Sequence, residues 1–223
     1  MHYQMNSETC SHMYSQNFLP KLKKHLLPRM LSILQKEGRS IESQALHDQH
    51  DRLILLKSDR IYRHNILRIN YTTYDTRRSQ DVINPITSHC NVMVLNSAYG
   101  DHENSGSSHP FCYARVLGVY HVNVVYIGPG MRDYEPIRME FIWVRWYHRV
   151  EVAQAGWGAY RLDKIQFLPM AEEEAFGFVD PLDVMRGCHI IPTFANGKLH
   201  TDGKGLSLCA RDSSDWISYY VNR

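Results

Sequence analysis

The stretch MEFIWVRWYHR, Met139 to Arg149, decides the fold, because its large apolar residues recur without helical spacing and its β-branched and aromatic content is that of a strand. Side chains of a strand alternate between two sides. Phe141, Trp143, Arg145 and Tyr147 therefore share one face, and Ile142, Val144, Trp146 and His148 the other. Ile142 and Val144 mark the second face as the core face, which leaves Trp143 and Arg145 on a more polar one. Trp146 sits near the strand end, where a core face can open into a groove.

Working outward, FCYARVLGVYHVNVVY (111–126) reads as an equally long strand, closed by the turn signal around Pro129. It should pair with the opening stretch as an antiparallel hairpin. DRIYRHNILRINYTTY (59–74) reads as a long strand or a bent pair, with Leu67, Ile69 and Tyr71 on one parity and His64, Arg68 and Asn70 on the other. NVMVLN, AYRLDKIQFL and MRGCHIIPTF add further strands. No helical crossovers separate them, which favours an antiparallel sandwich or barrel over a parallel α/β sheet. One helix precedes the strands: Leu22, Leu26, Met30, Ile33 and Leu34 recur at helical spacing, Gly38 is a stop, and Pro28 should bend or restart the helix. The expected fold is mainly β, a small, partly open antiparallel β-barrel with an N-terminal helical segment. The expected division is a basic helix and linker over 1–50, the barrel-like domain over 51–195 and a C-terminal tail over 196–223.

The 223 residues suffice for a proper core without staples. With 25 Lys and Arg against 23 Asp and Glu, the charge is nearly balanced, so any basic patch must be local. Cys10, Cys90, Cys112, Cys188 and Cys209 form no C-x-x-C pair and read as free thiols of a reducing compartment. There is no signal-peptide core at the start and no run of membrane-spanning length, which points to an intracellular protein with no membrane partner. The ending DWISYYVNR is strand-like and stops without a turn, as expected of a fragment of a longer product.

Two resemblances stand on these residues. YARVLGVYHV, FIWVRWYHR and DVMRGCHIIPTF, in that order within about 90–195, resemble the bromo-adjacent homology module. Over a longer span, from Leu19 to the end, RIYRHNILRINYTTYDTRRSQDVINP, HPFCYARVLGVYHVNV, FIWVRWY and AFGFVDPLDVMRGCHIIPTF look very like the C-terminal region of proteins encoded by Plavaka-type DNA transposons of fungi. The second resemblance implies a mobile-element origin, other domains of a longer transposon-encoded protein as partners, and a nuclear location. The first implies a chromatin reader in which an aromatic cage holds methylated lysine of a histone tail, each good contact contributing roughly 0.5 to 2 kcal/mol. Carried over by position, the cage would be Tyr113, Trp146 and His148, with His148 where the family usually has Tyr or Phe. Against this stands the reading of these aromatics as barrel core and rim.

The residues themselves offer a second ligand class. Arg60, Arg63, Arg68, Arg77 and Arg78 fall within one β segment, with Tyr62, Tyr71 and Tyr74 interleaved. Cations neutralise phosphates and aromatic rings stack on bases, so DNA or RNA is the expected partner. Asp51, Asp59, Asp75 and Asp81 could instead make this a balanced, solvated face. The helix adds Lys21, Lys23, Lys24 and Arg29.

Catalytic motifs are missing: there is no G-x-S-x-G, P-loop or H-E-x-x-H, and Glu172, Glu173 and Glu174 read as a solvated turn. His109 with Cys112, or His89, Cys90, Cys188 and His189, lack a zinc spacing. The expectation is a non-catalytic recognition or scaffolding module without cofactor or metal, acting on chromatin or nucleic acid. The alternative is a structural remnant of a mobile-element protein with no ligand.

Overall fold

The structure is a computed structural model that describes residues 18–38, 50–96, 109–129, 133–150 and 162–222. Residues 39–49 of the expected linker lie outside the described residues. The protein is mainly β with an N-terminal helix, as its alternation predicts, and its strands form a large open antiparallel sheet rather than a closed barrel. Free thiols stand at Cys90, Cys112, Cys188 and Cys209. Among the described residues no helix is long and apolar enough to cross a membrane.

The chain divides into two compact units, one of 1–64 with 120–141, the other of 65–119 with 142–223. This differs from a division at 50 and 195. Two strands of unusual length, β6 (Phe111–Tyr126) and β7 (Ile137–Arg149), contribute residues to both units, so the breaks at 119/120 and 141/142 fall within strands.

In the first unit, α1 (Phe18–Lys36) buries Leu22, Leu26, Leu27, Met30 and Leu34, the stripe read from the sequence with Leu27 added and Ile33 only half-buried. The helix runs on through Pro28 without restarting. Pro28 is exposed, so the carbonyl that loses its N–H partner there can turn to water. Gly38, at a φ of +78°, ends the helix in the left-handed conformation glycine tolerates. Arg29 donates to the Glu140 carbonyl of β7 at 2.8 Å. A short helix, α2 (His50–Leu53), leads into β1 (Ile54–Leu56), and both β1 and β2 (Tyr62–His64) pair with β6. Tyr62 stacks on His121 with ring centroids 4.6 Å apart, and the ring nitrogens of His64 and His121 meet at 2.7 Å.

In the second unit, seven strands run in the order β10-β5-β6-β7-β8-β12-β11, and β9 pairs with β7 off this path. These are β5 (Asn91–Leu95), β8 (Asp163–Phe167), β9 (Phe176–Val179), β10 (Val184–Gly187), β11 (His189–Pro192) and β12 (Tyr219–Asn222), with β6 and β7 as hydrogen-bonded neighbours in the middle. MRGCHIIPTF is thus two strands divided at Cys188. A separate ribbon, β3 (Leu67–Thr72) with β4 (Arg78–Ile83), completes the unit.

Both faces of β7 are covered here. Ile142 and Val144 join Ile83, Val92, Val116, Val179 and Val184 in one cluster; Tyr147 joins Tyr113, Ile165, Phe167 and Tyr219 in another. The face expected to be polar is therefore a second core. Arg145 lies within it at 2% exposure and gives its Nη1–H to Asp215 Oδ2 at 2.8 Å, while Arg115 of β6 meets Asp215 Oδ1 at 2.7 Å. Both guanidiniums lie over the Phe167 ring, at 4.4 Å for Arg115 and 3.9 Å for Arg145. For Arg145 and Asp215 burial dominates and works against the charged form; for Arg115 burial is outweighed by the fields of Tyr147 and Asp215, which hold its charge more firmly than usual.

Two predictions follow from this packing. Asp215→Ala leaves two buried guanidiniums without their carboxylate, so urea unfolding should show a loss of about 3–5 kcal/mol; a loss under about 1 kcal/mol would contradict the clamp. Burial, Arg138 and His64 all lower the pKa of His121, with Glu140 opposing. The unfolded chain then binds the proton more readily, so stability should fall as pH drops through about 6.5. His121→Asn should flatten that part of the stability profile.

Candidate nucleic-acid interface

The β3–β4 ribbon alternates as the sequence does. Leu67 and Ile69 pack against the Ile142 and Val144 cluster, and Ile83 belongs to it. Tyr71 faces Arg186 of β10, whose guanidinium lies 4.3 Å over the ring and gives a hydrogen bond of 3.1 Å to the phenol oxygen. Asp81 accepts the Gly187 N–H at 2.9 Å. This inner face fixes the ribbon to β10 with apolar, cation–π and backbone contacts together.

The outer face is what remains. Register pairs Arg68 with Val82, Asn70 with Gln80 and Thr72 with Arg78, all of them exposed. Gln80 Nε2 donates to Asn70 Oδ1 at 2.7 Å, joining the two strands across the middle row. No carboxylate stands in these rows. Asp81 points inward, and Asp75, in the loop Thr73–Arg77, binds Arg77 at 3.0 Å. Among the described residues Arg68 and Arg78 consequently make no ion pair. The loop is closed by Thr73 N–H to the Arg77 carbonyl at 2.8 Å and carries Tyr74 at its tip, wholly exposed. Arg60 and Arg63 are exposed too, but belong to the first unit.

The aromatic cage does not assemble in this way. Tyr113 is 3% exposed and its hydroxyl donates to Asp163 Oδ2 at 2.7 Å, within the Tyr147 and Phe167 cluster. Trp146 packs against the Ile142 and Val144 cluster, its indole Nε1 only 2.5 Å from where a Cβ on Gly177 would stand. His148 shares the parity of Trp146 and has its Nε2 2.6 Å from the Gln166 side-chain nitrogen. The structure thus separates Tyr113 from Trp146 and His148, because Tyr147, which clusters with Tyr113, lies on the opposite parity of β7 from both.

A groove of about 560 Å³ runs beside the ribbon and includes Asp81, His89, Cys188 and His189 in its lining. Burial pushes the Cys188 thiol up to about 12, so it stays protonated at neutral pH. Among the described residues no three His, Cys, Asp or Glu side chains lie close enough to hold a metal ion. Compared with known protein families, with curated proteins and with solved structures, the chain matches none of them.

The alternation of 67–71 sets Asn70 beside Arg68 on one face. Gln80 is not legible in the sequence, because RSQDVI, with its polar start, carries little strand signal.

Trp146→Ala should cost about 3 kcal/mol by removing core volume. The parent should not distinguish methylated from unmethylated lysine peptides in a calorimetric titration; a methyl-dependent signal lost in Trp146→Ala at unchanged stability would restore the cage. Burial raises the pKa of Cys90 as it does that of Cys188. At pH 8 iodoacetamide should therefore modify both only once urea unfolds the protein.

Proposed function

We propose that this chain is a non-catalytic recognition module that binds nucleic acid through the outer face of the β3–β4 ribbon. The observation that carries the reading is the pair of exposed guanidiniums, Arg68 and Arg78, on a face without carboxylates, the nearby acids being engaged elsewhere. A phosphate backbone supplies the counter-charge the face lacks. Tyr74 at the tip offers a ring for an unpaired or end base. In keeping with the resemblance to Plavaka C-terminal regions, the module serves a longer transposon-encoded protein in the nucleus, holding it on DNA or chromatin while other domains act.

Fluorescence anisotropy with a labelled duplex, repeated across salt concentrations, tests this. Binding should weaken steeply as salt rises, and Arg68→Glu with Arg78→Glu should reduce the slope of log K against log salt by about 2, one phosphate contact for each residue. No binding at low salt, or an unchanged slope in the double variant, would leave the structural-remnant reading in its place.

A further inference from the structure

From the middle row of the ribbon we infer a more specific role, which rests on the nucleic-acid reading: the β3–β4 outer face enters the major groove of duplex DNA, and the Asn70–Gln80 pair reads an adenine there.

A two-stranded ribbon fits the B-form major groove, about 12 Å wide. Residues two apart along a strand lie roughly 6.8 Å apart, which matches about two base-pair steps of 3.4 Å. The three outer rows, Arg68 with Val82, Asn70 with Gln80 and Thr72 with Arg78, therefore span about four base-pair steps.

Each row then has a chemical counterpart. Arginine pairs with the O6 and N7 acceptors of guanine or with phosphate; Asn and Gln pair with N6 and N7 of adenine; apolar and Thr side chains contact the thymine methyl. The 2.7 Å bond from Gln80 Nε2 to Asn70 Oδ1 uses one donor and one acceptor of the pair. It leaves the Asn70 amide N–H groups as donors and the Gln80 carbonyl oxygen as an acceptor, the kinds of group that adenine N7 and N6–H call for. Because the two amides hold each other, less rotamer freedom remains to be lost on binding. Val82 is exposed in the first row, an apolar group on a solvated face that a thymine methyl would cover.

The riveted inner face supports the same use. Tyr71 with Arg186, Asp81 with Gly187, and Leu67 and Ile69 on the core fix the ribbon's orientation before any ligand arrives. A reader of base edges needs that rigidity more than a phosphate binder does.

The test is selection from a pool of randomised duplexes, with the parent protein and with Asn70→Ala, Gln80→Ala. The parent should enrich a short site with an A·T pair at a fixed central position and bind it about tenfold or more tightly than a duplex with G·C there. The double variant should lose that preference while keeping the parent's melting temperature and its salt slope, since both residues are exposed and uncharged. Salt-dependent binding without enrichment, or equal affinity for single strands and duplex, overturns this inference and leaves the proposed function standing. Absence of all nucleic-acid binding overturns both.

Discussion

One carboxylate organises the larger unit. Asp215 accepts from two guanidiniums on neighbouring central strands, Arg115 of β6 and Arg145 of β7, and the Tyr219 hydroxyl lies 3.3 Å from the oxygen Arg115 uses. Its backbone is held as well, the N–H by the Asp212 carbonyl and the carbonyl by the Leu199 N–H. Burying such charges adds little net stability, but removing one partner is costly, so the arrangement admits one register and penalises others. The residues after β11 must therefore return to the sheet centre, where Tyr219 packs against Tyr147 and Phe167. With that face closed, β7 is covered on both sides beyond Phe141: Trp143 and Tyr147 are buried, and Trp146 is partly buried against the other cluster.

The ribbon gains its rigidity from the opposite side. The cluster built on Ile142 and Val144 includes Val184 of β10 and Ile83 of β4, and Leu67 and Ile69 pack on it. Arg186, one position before Gly187, reaches Tyr71 while Gly187 gives its N–H to Asp81. An added Cβ at Gly187 would stand 2.9 Å from the end of the Ile83 side chain, which would have to shift to make room. The inner face is thereby used up by packing, while on the outer face Arg68 and Arg78 make no ion pair among the described residues and Asn70 and Gln80 bond to each other.

Much of this is legible in residue order. Period-two alternation gives β6 and β7 nearly to their ends, and the apolar spacing of α1 gives the helix, because both signals are local. The parity of 67–71 likewise sets Arg68 and Asn70 on one side. What is not legible depends on distant partners. Arg145 reads as a residue of the more polar face because the carboxylate that permits its burial is Asp215, 70 residues along the chain, and alternation within one strand gives no sign of that partner. For the same reason Tyr113 and Trp146 look like neighbours of one groove: which side of a sheet each occupies depends on the register between strands and on what covers each face, and alternation within one strand cannot supply either. The resemblance to a methyl-lysine reader carried residue types, but a cage also needs their side chains to converge.

The measurement that bears most directly on the central claim is an amide chemical-shift titration of the isotopically labelled chain with a short DNA duplex. The account predicts salt-sensitive shifts concentrated in 68–80, at Arg68, Asn70, Tyr74, Arg78 and Gln80, with little change at Trp146 and His148 or at Lys21, Lys23 and Lys24 of α1. Shifts centred on α1 or on Trp146, with the ribbon unmoved, would contradict it.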